Sequence, residues 1–229
     1  KDSAESYNFC TAKFNNIGLL QWLTKFNYGN GSDKAVALGV DGNGNIYVAG
    51  RCDADSSDAV TDYDFGVVKY NSSGAEQWAK LQGTAGNAEE PVAIAVSSAG
   101  NVYVTGRSTV GTNDDVYTAK FNTAGNLIWQ KTFGRTKDDR SEAMLMDASE
   151  NIYICGRSED ANGVFDGMLV KYNSNGDTLW TRFYDLGNGG EDRFNALAFD
   201  AAGNVLVAGK TDPDNDTTTL NNDYLLVAY

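Results

Sequence analysis

The residues best equipped for chemistry in this sequence are its carboxylates, and they occupy two settings. One is a pair of long connections, "RCDADSSDAVTDY" at 51–63 and "KTDPDNDTTTLNN" at 210–222, which hold Asp53, Asp55, Asp58, Asp62, Asp212, Asp214 and Asp216. Alternate carboxylates with backbone and Asn oxygens are the hard ligands Ca2+ prefers. Calcium is therefore the cation to expect, at Asp53, Asp55 and Asp58 or at Asp212, Asp214 and Asp216. The EF-hand pattern is absent, since no glycine follows at the sixth place and no Glu closes the loop at the twelfth. The plainer reading is a solvated acidic face that keeps the protein soluble. The other setting is periodic: Asp64, Asp115, Asp166 and Asp223 recur, as do Asp33, Glu89, Asp139 and Asp192.

Catalysis finds little support in the remaining residues. The chain has no histidine, which removes the usual general base and Ser-His-Asp chemistry. Paired carboxylates can hydrolyse glycosides, but only with one acid in a special environment, and no acid here stands outside the repeat pattern except the loop set. "GNGS" at 29–32 lacks the Lys and helix of a phosphate cradle. Cys10, Cys52 and Cys155 are an odd count without CxxC spacing, so neither a disulfide framework nor a zinc site follows, and Cys52 and Cys155 read as packed side chains. The expectation is no catalytic residue and no enzyme, with a glycosidase or lyase as the alternative.

These residues are positioned by a repeat. "DGNGNIYVAGR" at 41–51 returns as "SSAGNVYVTGR" at 97–107, "DASENIYICGR" at 147–157 and "DAAGNVLVAGK" at 200–210. Trp22, Trp78, Trp129 and Trp180 are 56, 51 and 51 residues apart, and Lys13, Lys69, Lys120 and Lys171 keep the same spacing. Each period holds four short apolar runs parted by Asn, Gly and Ser turns. Strand A is "AVALGV" from Ala35, "PVAIAV" from Pro91, "EAMLMD" from Glu142 and "NALAFD" from Asn195; strand B is the "NIYVAG" set, strand C the "FGVVKY" set and strand D the run around each Trp. Four antiparallel strands recurring at about 50 residues describe one blade of a β-propeller.

The cadence "GNIYVAGR", Asp64, "FGVVKYNSSG" and Trp78, followed by an acid and "VAIAV", resembles the SBBP β-propeller repeat family, with NHL-like blades. The resemblance implies an exported or surface bacterial protein. Departures are Ser97 for Asp, Glu150 at the glycine position and Lys210 for Arg. The expected organisation is a single all-β propeller segment over 1–229: strands C and D at 7–28, repeats at 33–82, 89–133 and 139–184, and a partial repeat at 192–229. That makes 17 strands, with "DYLLVAY" a surplus strand C that argues against simple ring closure and for a slice of a longer chain.

Copied residues read as structural and varied ones as functional. The tryptophans should fill gaps between blades, and the lysine stems should cover apolar surface. Arg51, Arg107, Arg157 and Lys210 should pair with Asp64, Asp115, Asp166 and Asp223 in each blade, with Asp33, Glu89, Asp139 and Asp192 competing. The B to C connection has 13 residues in the first and last copies but 8 and 9 in the others. Loops on a rigid scaffold are where binding is built. The formal net charge of −13 argues against nucleic acid and anionic membranes, and no run approaches the roughly 18 apolar residues of a membrane span. The reading is therefore a non-enzymatic extracellular or cell-surface scaffold that binds protein or glycan through its acidic loop face. The alternative is a structural protein that self-assembles through unpaired edge strands.

Overall fold

Residues 7–29, 31–53, 63–84, 87–185, 190–212 and 223–228 are described by the computed structural model. Their strands form five antiparallel sheets, and no helix occurs among the described residues. β1 (Phe9–Phe14) and β2 (Leu20–Phe26) make a hairpin. β3 (Lys34–Val40), β4 (Ile46–Asp53), β5 (Tyr63–Tyr70) and β6 (Glu76–Gln82) make the first complete four-stranded blade. β7 (Ala88–Val96), β8 (Val102–Val110), β9 (Asn113–Phe121) and β10 (Leu127–Phe133) make the second, and β11 (Asp139–Met146), β12 (Ile152–Glu159), β13 (Phe165–Tyr172) and β14 (Thr178–Tyr184) the third. β15 (Arg193–Phe199), β16 (Val205–Thr211) and β17 (Asp223–Ala228) close the series as strands A, B and C. In every sheet neighbours in sequence are neighbours in space.

The chain divides into two compact units, residues 1–104 with 108–111 and 119–128, and residues 105–107, 112–118 and 129–229. In the first, Phe9, Phe26, Val48, Cys52, Val68 and Tyr70 form the core; in the second, Tyr153, Cys155, Leu169, Phe194, Val205 and Val207 do. These residues come largely from strands B and C. β12 and β13 are buried along most of their length, whereas β14 is exposed or half-buried. A strand covered on both faces has no polar face to display, which is why "NIYIC" and "GMLVKY" run apolar instead of alternating.

Two local devices repeat. Strand A is irregular between Ala35 and Ala37, Ser141 and Ala143, and Phe194 and Ala196. A bulge of this kind pushes backbone toward the partner strand, and the partner there is the glycine that precedes each cation. A Cβ at Gly50, Gly156 or Gly209 would lie 2.2, 1.9 or 1.8 Å from the carbonyl oxygen of Lys34, Arg140 or Arg193. The bulge also lets strand A begin before its apolar run, so that Asp139 pairs with Ser158 and Arg140 with Arg157.

The second device is the turn. Asp41, Asp147 and Asp200 accept backbone N–H bonds two and four residues ahead with Oδ1, and Asn15, Asn71, Asn122 and Asn173 do the same between strands C and D. The fourth residue of each such turn has positive φ, the pattern of a type I turn followed by a bulge. Glycine holds that place at Gly44, Gly100 and Gly203, but at Glu150 φ is 59°. Left-handed backbone costs a residue with a Cβ roughly 1–2 kcal/mol. Glu150→Gly is therefore expected to raise stability by about 1 kcal/mol, read as a higher denaturant midpoint at unchanged m-value. A lower midpoint would mean that the contacts of the Glu150 side chain outweigh its strain.

The outer strands join neighbouring sheets. The indole N–H of Trp22 donates to Ser72 O at 3.2 Å, that of Trp78 to Thr123 O at 3.0 Å and that of Trp129 to Ser174 O at 3.1 Å. Each acceptor lies in the C to D turn of the next repeat, and the glycines of those turns, Gly74, Gly125 and Gly176, sit against the same three rings. The lysine stems cross strands as expected. The Lys69 ammonium is 5.0 Å from the centroid of the Tyr47 ring and 3.3 Å from Thr123 O.

Candidate functional site

In each repeat the end of the sheet that carries the starts of strands A and C and the end of strand B is charged. Its inner members are Asp33, Glu89, Asp139 and Asp192, which are 1, 0, 0 and 1% exposed. Asp33 Oδ2 accepts the Tyr28 N–H at 2.7 Å and Oδ1 the Asp53 N–H at 3.2 Å. Glu89 Oε1 accepts from the Thr84 N–H at 3.2 Å and the Ser108 hydroxyl at 2.9 Å, and Asp139 Oδ2 from the Arg135 N–H at 2.7 Å. Each of these three acids thus holds the backbone of the loop that enters strand A. Burial pushes the Asp33 and Asp139 carboxyls above the usual carboxylate range, against these hydrogen bonds.

The strand C acids converge on the same points. A Cβ at Gly83 would lie 1.7 Å from Asp64 Oδ1 and 2.9 Å from Glu89 Oε2. At Gly134 it would lie 2.1 Å from Asp115 Oδ1 and 2.8 Å from Asp139 Oδ2. A carboxylate pair is thereby built over the glycine that ends strand D. Burial, with Asp114 and Asp138 nearby, raises the Asp115 carboxyl, while Asp115 in turn adds to the rise at Asp139. Two such pairs at equivalent positions in consecutive blades mark a scaffold element, not one specialised centre.

The strand B cations pair with further acids. Arg51 pairs with Glu90 at 2.7 Å, Arg107 with Asp114 at 2.9 Å, and Arg157 and Lys210 with Glu191 at 2.5 and 3.1 Å. Asp166 is met by Arg135, at 2.7 Å. Arg140 bridges Asp114 at 2.8 Å and Asp138 at 2.9 Å. The expected hairpin pairing of Arg157 with Asp166 is corrected, since Arg157 meets Glu191 and Asp166 meets Arg135; Arg51 likewise reaches a charged neighbour of the buried acid, and Arg107 the residue before the strand C acid. Glu191 is buried enough to favour its neutral form, yet Lys210 and Arg157 hold its carboxyl below the usual range. Sequence reasoning missed Glu90, Asp114, Arg135, Arg140 and Glu191. The available signal was that the positions beside the recurring acid carry charge in each repeat.

Of the acidic loop residues, Asp53 and Asp212 are described, and Asp55, Asp58, Asp62, Asp214 and Asp216 lie outside the described residues. Asp53 ends β4 and is 6% exposed. Asp212 is half-buried, and its N–H donates to Glu191 O at 3.1 Å. No group of three or more Asp, Glu, His or Cys side chains is placed to hold a metal among the described residues. Cys52 and Cys155 are fully buried, and burial pushes the Cys155 thiol up to about 12 and the Cys52 thiol higher, far from a nucleophilic thiolate. In the first unit a cleft of about 480 Å3 opens beside the rim, lined by Tyr7, Cys10, Asp33, Lys34 and Arg51 among others.

Four-stranded antiparallel blades joined in sequence order, the first two stapled to the next by an outer tryptophan, define a β-propeller repeat protein. The SBBP β-propeller repeat model matches residues 21–55 and 77–113, so these two stretches are similar to repeats of that family. The Regulatory protein FlaEY of Caulobacter vibrioides is 30% identical over 116 aligned positions that cover 44% of this chain and 12% of the relative, so the chain spans a small part of that relative's length. Among solved structures, a protein of unknown function from Dyadobacter fermentans is similar at a TM-score of 0.55 and 13% identity, covering 89% of this chain and 67% of that one. A gluconolactonase from Xanthomonas campestris is similar at a TM-score of 0.47 and 15% identity, covering 95% of this chain and 65% of that one. The expectation that the chain is no enzyme is corrected on this point, since an enzyme stands among the structures it resembles. At that TM-score the likeness carries no argument about this chain's own chemistry, and a fold shared by catalysts and binders decides neither way.

Proposed function

We propose that the chain is a secreted or cell-surface β-propeller scaffold that recognises a protein or glycan through the long connections between strands B and C. One observation carries the reading: residues common to the repeats are used inside the scaffold. The tryptophans staple the next turn, the buried acids clamp loop backbone, and the strand B cations are bound in ion pairs. Recognition is left to what differs between repeats, which is the pair of 13-residue connections and their aspartates. A net charge of −13 suits a cationic partner and salt-sensitive association. The likeness to a protein named as regulatory supports recognition as the task.

Asp53 is buried at the end of β4 and Asp212 is half-buried, so these two are left in place; Asp55, Asp58, Asp214 and Asp216 are the residues to change. Their joint replacement by alanine is expected to leave the melting temperature in place and to weaken capture of ligands on arrays of glycans and cationic peptides by about tenfold or more, the equivalent of a few salt-sensitive contacts at roughly 0.2–1 kcal/mol each. Undiminished capture by the variant would remove this face from consideration.

A further inference from the structure

Asp115 at the start of β9 and Asp139 at the start of β11 meet over Gly134. A Cβ on that glycine would lie within 2.8 Å of both Asp115 Oδ1 and Asp139 Oδ2, so its absence is what lets the two carboxyls share one space. Asp139 is fully buried, and its Oδ1 is out of solvent without a hydrogen-bond partner. Asp115 is half-buried.

The cations around this pair are engaged with other acids. Arg107 of β8 pairs with Asp114, and Arg140 of β11 with Asp114 and Asp138. Lys137, in the connection between the blades, pairs with Glu159 of β12, and Arg157 of β12 with Glu191. The Arg135 guanidinium acts on Asp139, but its ion pair is with Asp166 of β13 at 2.7 Å. Charge on Asp139 is favoured by the Arg135 N–H at 2.7 Å and by the Ser158 hydroxyl beside it. Asp115 faces Asp114 and Asp138 as well as Asp139.

Other copies of the contact show what it requires. Ahead of the first complete blade the position of Asp115 belongs to Asn8, which lines one cleft with the buried Asp33. The strands meet there as they do in the last copy: the Asp33 N–H donates to Tyr7 O at 2.6 Å, and the Asp192 N–H to Phe165 O at 2.7 Å. An uncharged amide of the same shape therefore serves in that place. In the third blade the position belongs to Asp166, whose charge is met by Arg135. Asp115 has neither remedy, and two carboxylates facing each other out of water do not both ionise at ordinary cost.

We propose that Asp115 and Asp139 hold a single proton in common at neutral pH, and that this proton is a catch fastening the connection 134–138 to the start of β11. With it the pair carries one negative charge, which the Arg135 N–H and the Ser158 hydroxyl stabilise. Without it a second charge stands among Asp114, Asp138 and Asp139, the starts of β9 and β11 repel, and the Arg135 N–H is pulled from its acceptor. Burial and the neighbouring acids raise both carboxyls. In the unfolded chain each loses its proton near about pH 4, whereas the folded pair keeps one to higher pH. The stability that the pair contributes is therefore complete below about pH 4 and is lost as pH rises through the pair's own titration.

Denaturant midpoints at about pH 4 and about pH 8 test this on three chains. They are the unaltered chain, Asp115→Asn, which copies the Asn8 side chain into the second blade, and Glu76→Gln, an exposed carboxyl of β6 removed as a charge-matched control. Asp115→Asn is expected to leave stability unchanged at the lower pH and to raise the folding equilibrium constant about tenfold at the higher, the linkage cost of a carboxyl that holds its proton about ten times more tightly than in the unfolded chain. Amide exchange at Arg135, corrected for the intrinsic base-catalysed rate, should accelerate with pH in the unaltered chain and not in the variant. Carbon NMR of the side-chain carboxyls in the unaltered chain should show Asp115 and Asp139 titrating as a coupled pair, the second proton leaving well above the usual carboxylate range. Independent titrations within that range would overturn the proposal. So would a gain that is equal at both pH values or shared by Glu76→Gln, or a loss of stability at the higher pH in Asp115→Asn. Stabilisation by added calcium that Asp115→Asn abolishes would overturn it as well, because a cation would then stand in the proton's place.

Discussion

Gly156→Ala is expected to cost about 3 kcal/mol, at the upper end of what overpacking a core costs. For a chain of this length that is a fall in Tm of roughly 6–12 °C. The cause is contact with backbone, which cannot rotate out of the way. A methyl at Gly156 would lie 1.9 Å from Arg140 O, 2.9 Å from Arg140 C and 3.0 Å from Ser141 Cα. Relief would require strand A to give up its bulge, and the bulge is what places Asp139 and Arg140 in register with Ser158 and Arg157. The strain therefore reaches the buried acid and the ion pairs around it. Gly203→Ala is the matched control, since it has nothing within 4 Å but a φ of +87°, so it should cost only about 1–2 kcal/mol from backbone strain. If the two variants lose the same stability, close approach of the strands is not the reason glycine precedes each cation.

That glycine shows how far the sequence can be read. The recurrence of "YVAGR" was visible, and the strands B and C around it were legible because both faces of each are covered and their apolar runs are unbroken. The start of strand A was not. A bulge separates its apolar run from the charged residues ahead, and a sequence pattern with period two has no sign for an extra residue. The buried acids were legible as recurring positions but not as buried ones. Asp33, Glu89 and Asp192 follow Gly and Asn, and Asp139 sits in a charged run, settings where a carboxylate reads as loop surface; only the hydrogen bonds from Tyr28, Thr84 and Arg135 show why three of them turn inward. Ion-pair partners were misjudged for a related reason. Hairpin neighbours are adjacent by topology, but the cations leaving strand B are long enough to reach the next repeat, as from Arg51 to Glu90. The acidic loops were legible as the variable part of the repeat, and the clamp on Asp53 distinguishes one of their residues as framework.

Trp78→Ala should be the other costly change, at about 3 kcal/mol, the lower end for removing a large aromatic side chain because the ring is only half-buried. Trp78→Phe should cost about 1 kcal/mol, the worth of the indole bond to Thr123 O together with a small loss of packing. The difference matters because the ring has three roles. It stacks under Gly125, whose Cβ position would be 2.8 Å from Cδ2, it meets Tyr47 at 5.9 Å, and it donates one hydrogen bond. Repeat proteins hold together by nearest-neighbour interfaces, so the loss should be local. Amide exchange in the turn at 122–126 should accelerate, while that of β1 and β2, stapled separately through Trp22 and Ser72, should stay slow. Uniform acceleration across the first unit would show that its sheets unfold as one body and that the tryptophan is ordinary core. A local effect would identify the staple as the interface term that lets each repeat vary its B to C connection without loosening its neighbours, which is the property a recognition scaffold of this kind requires.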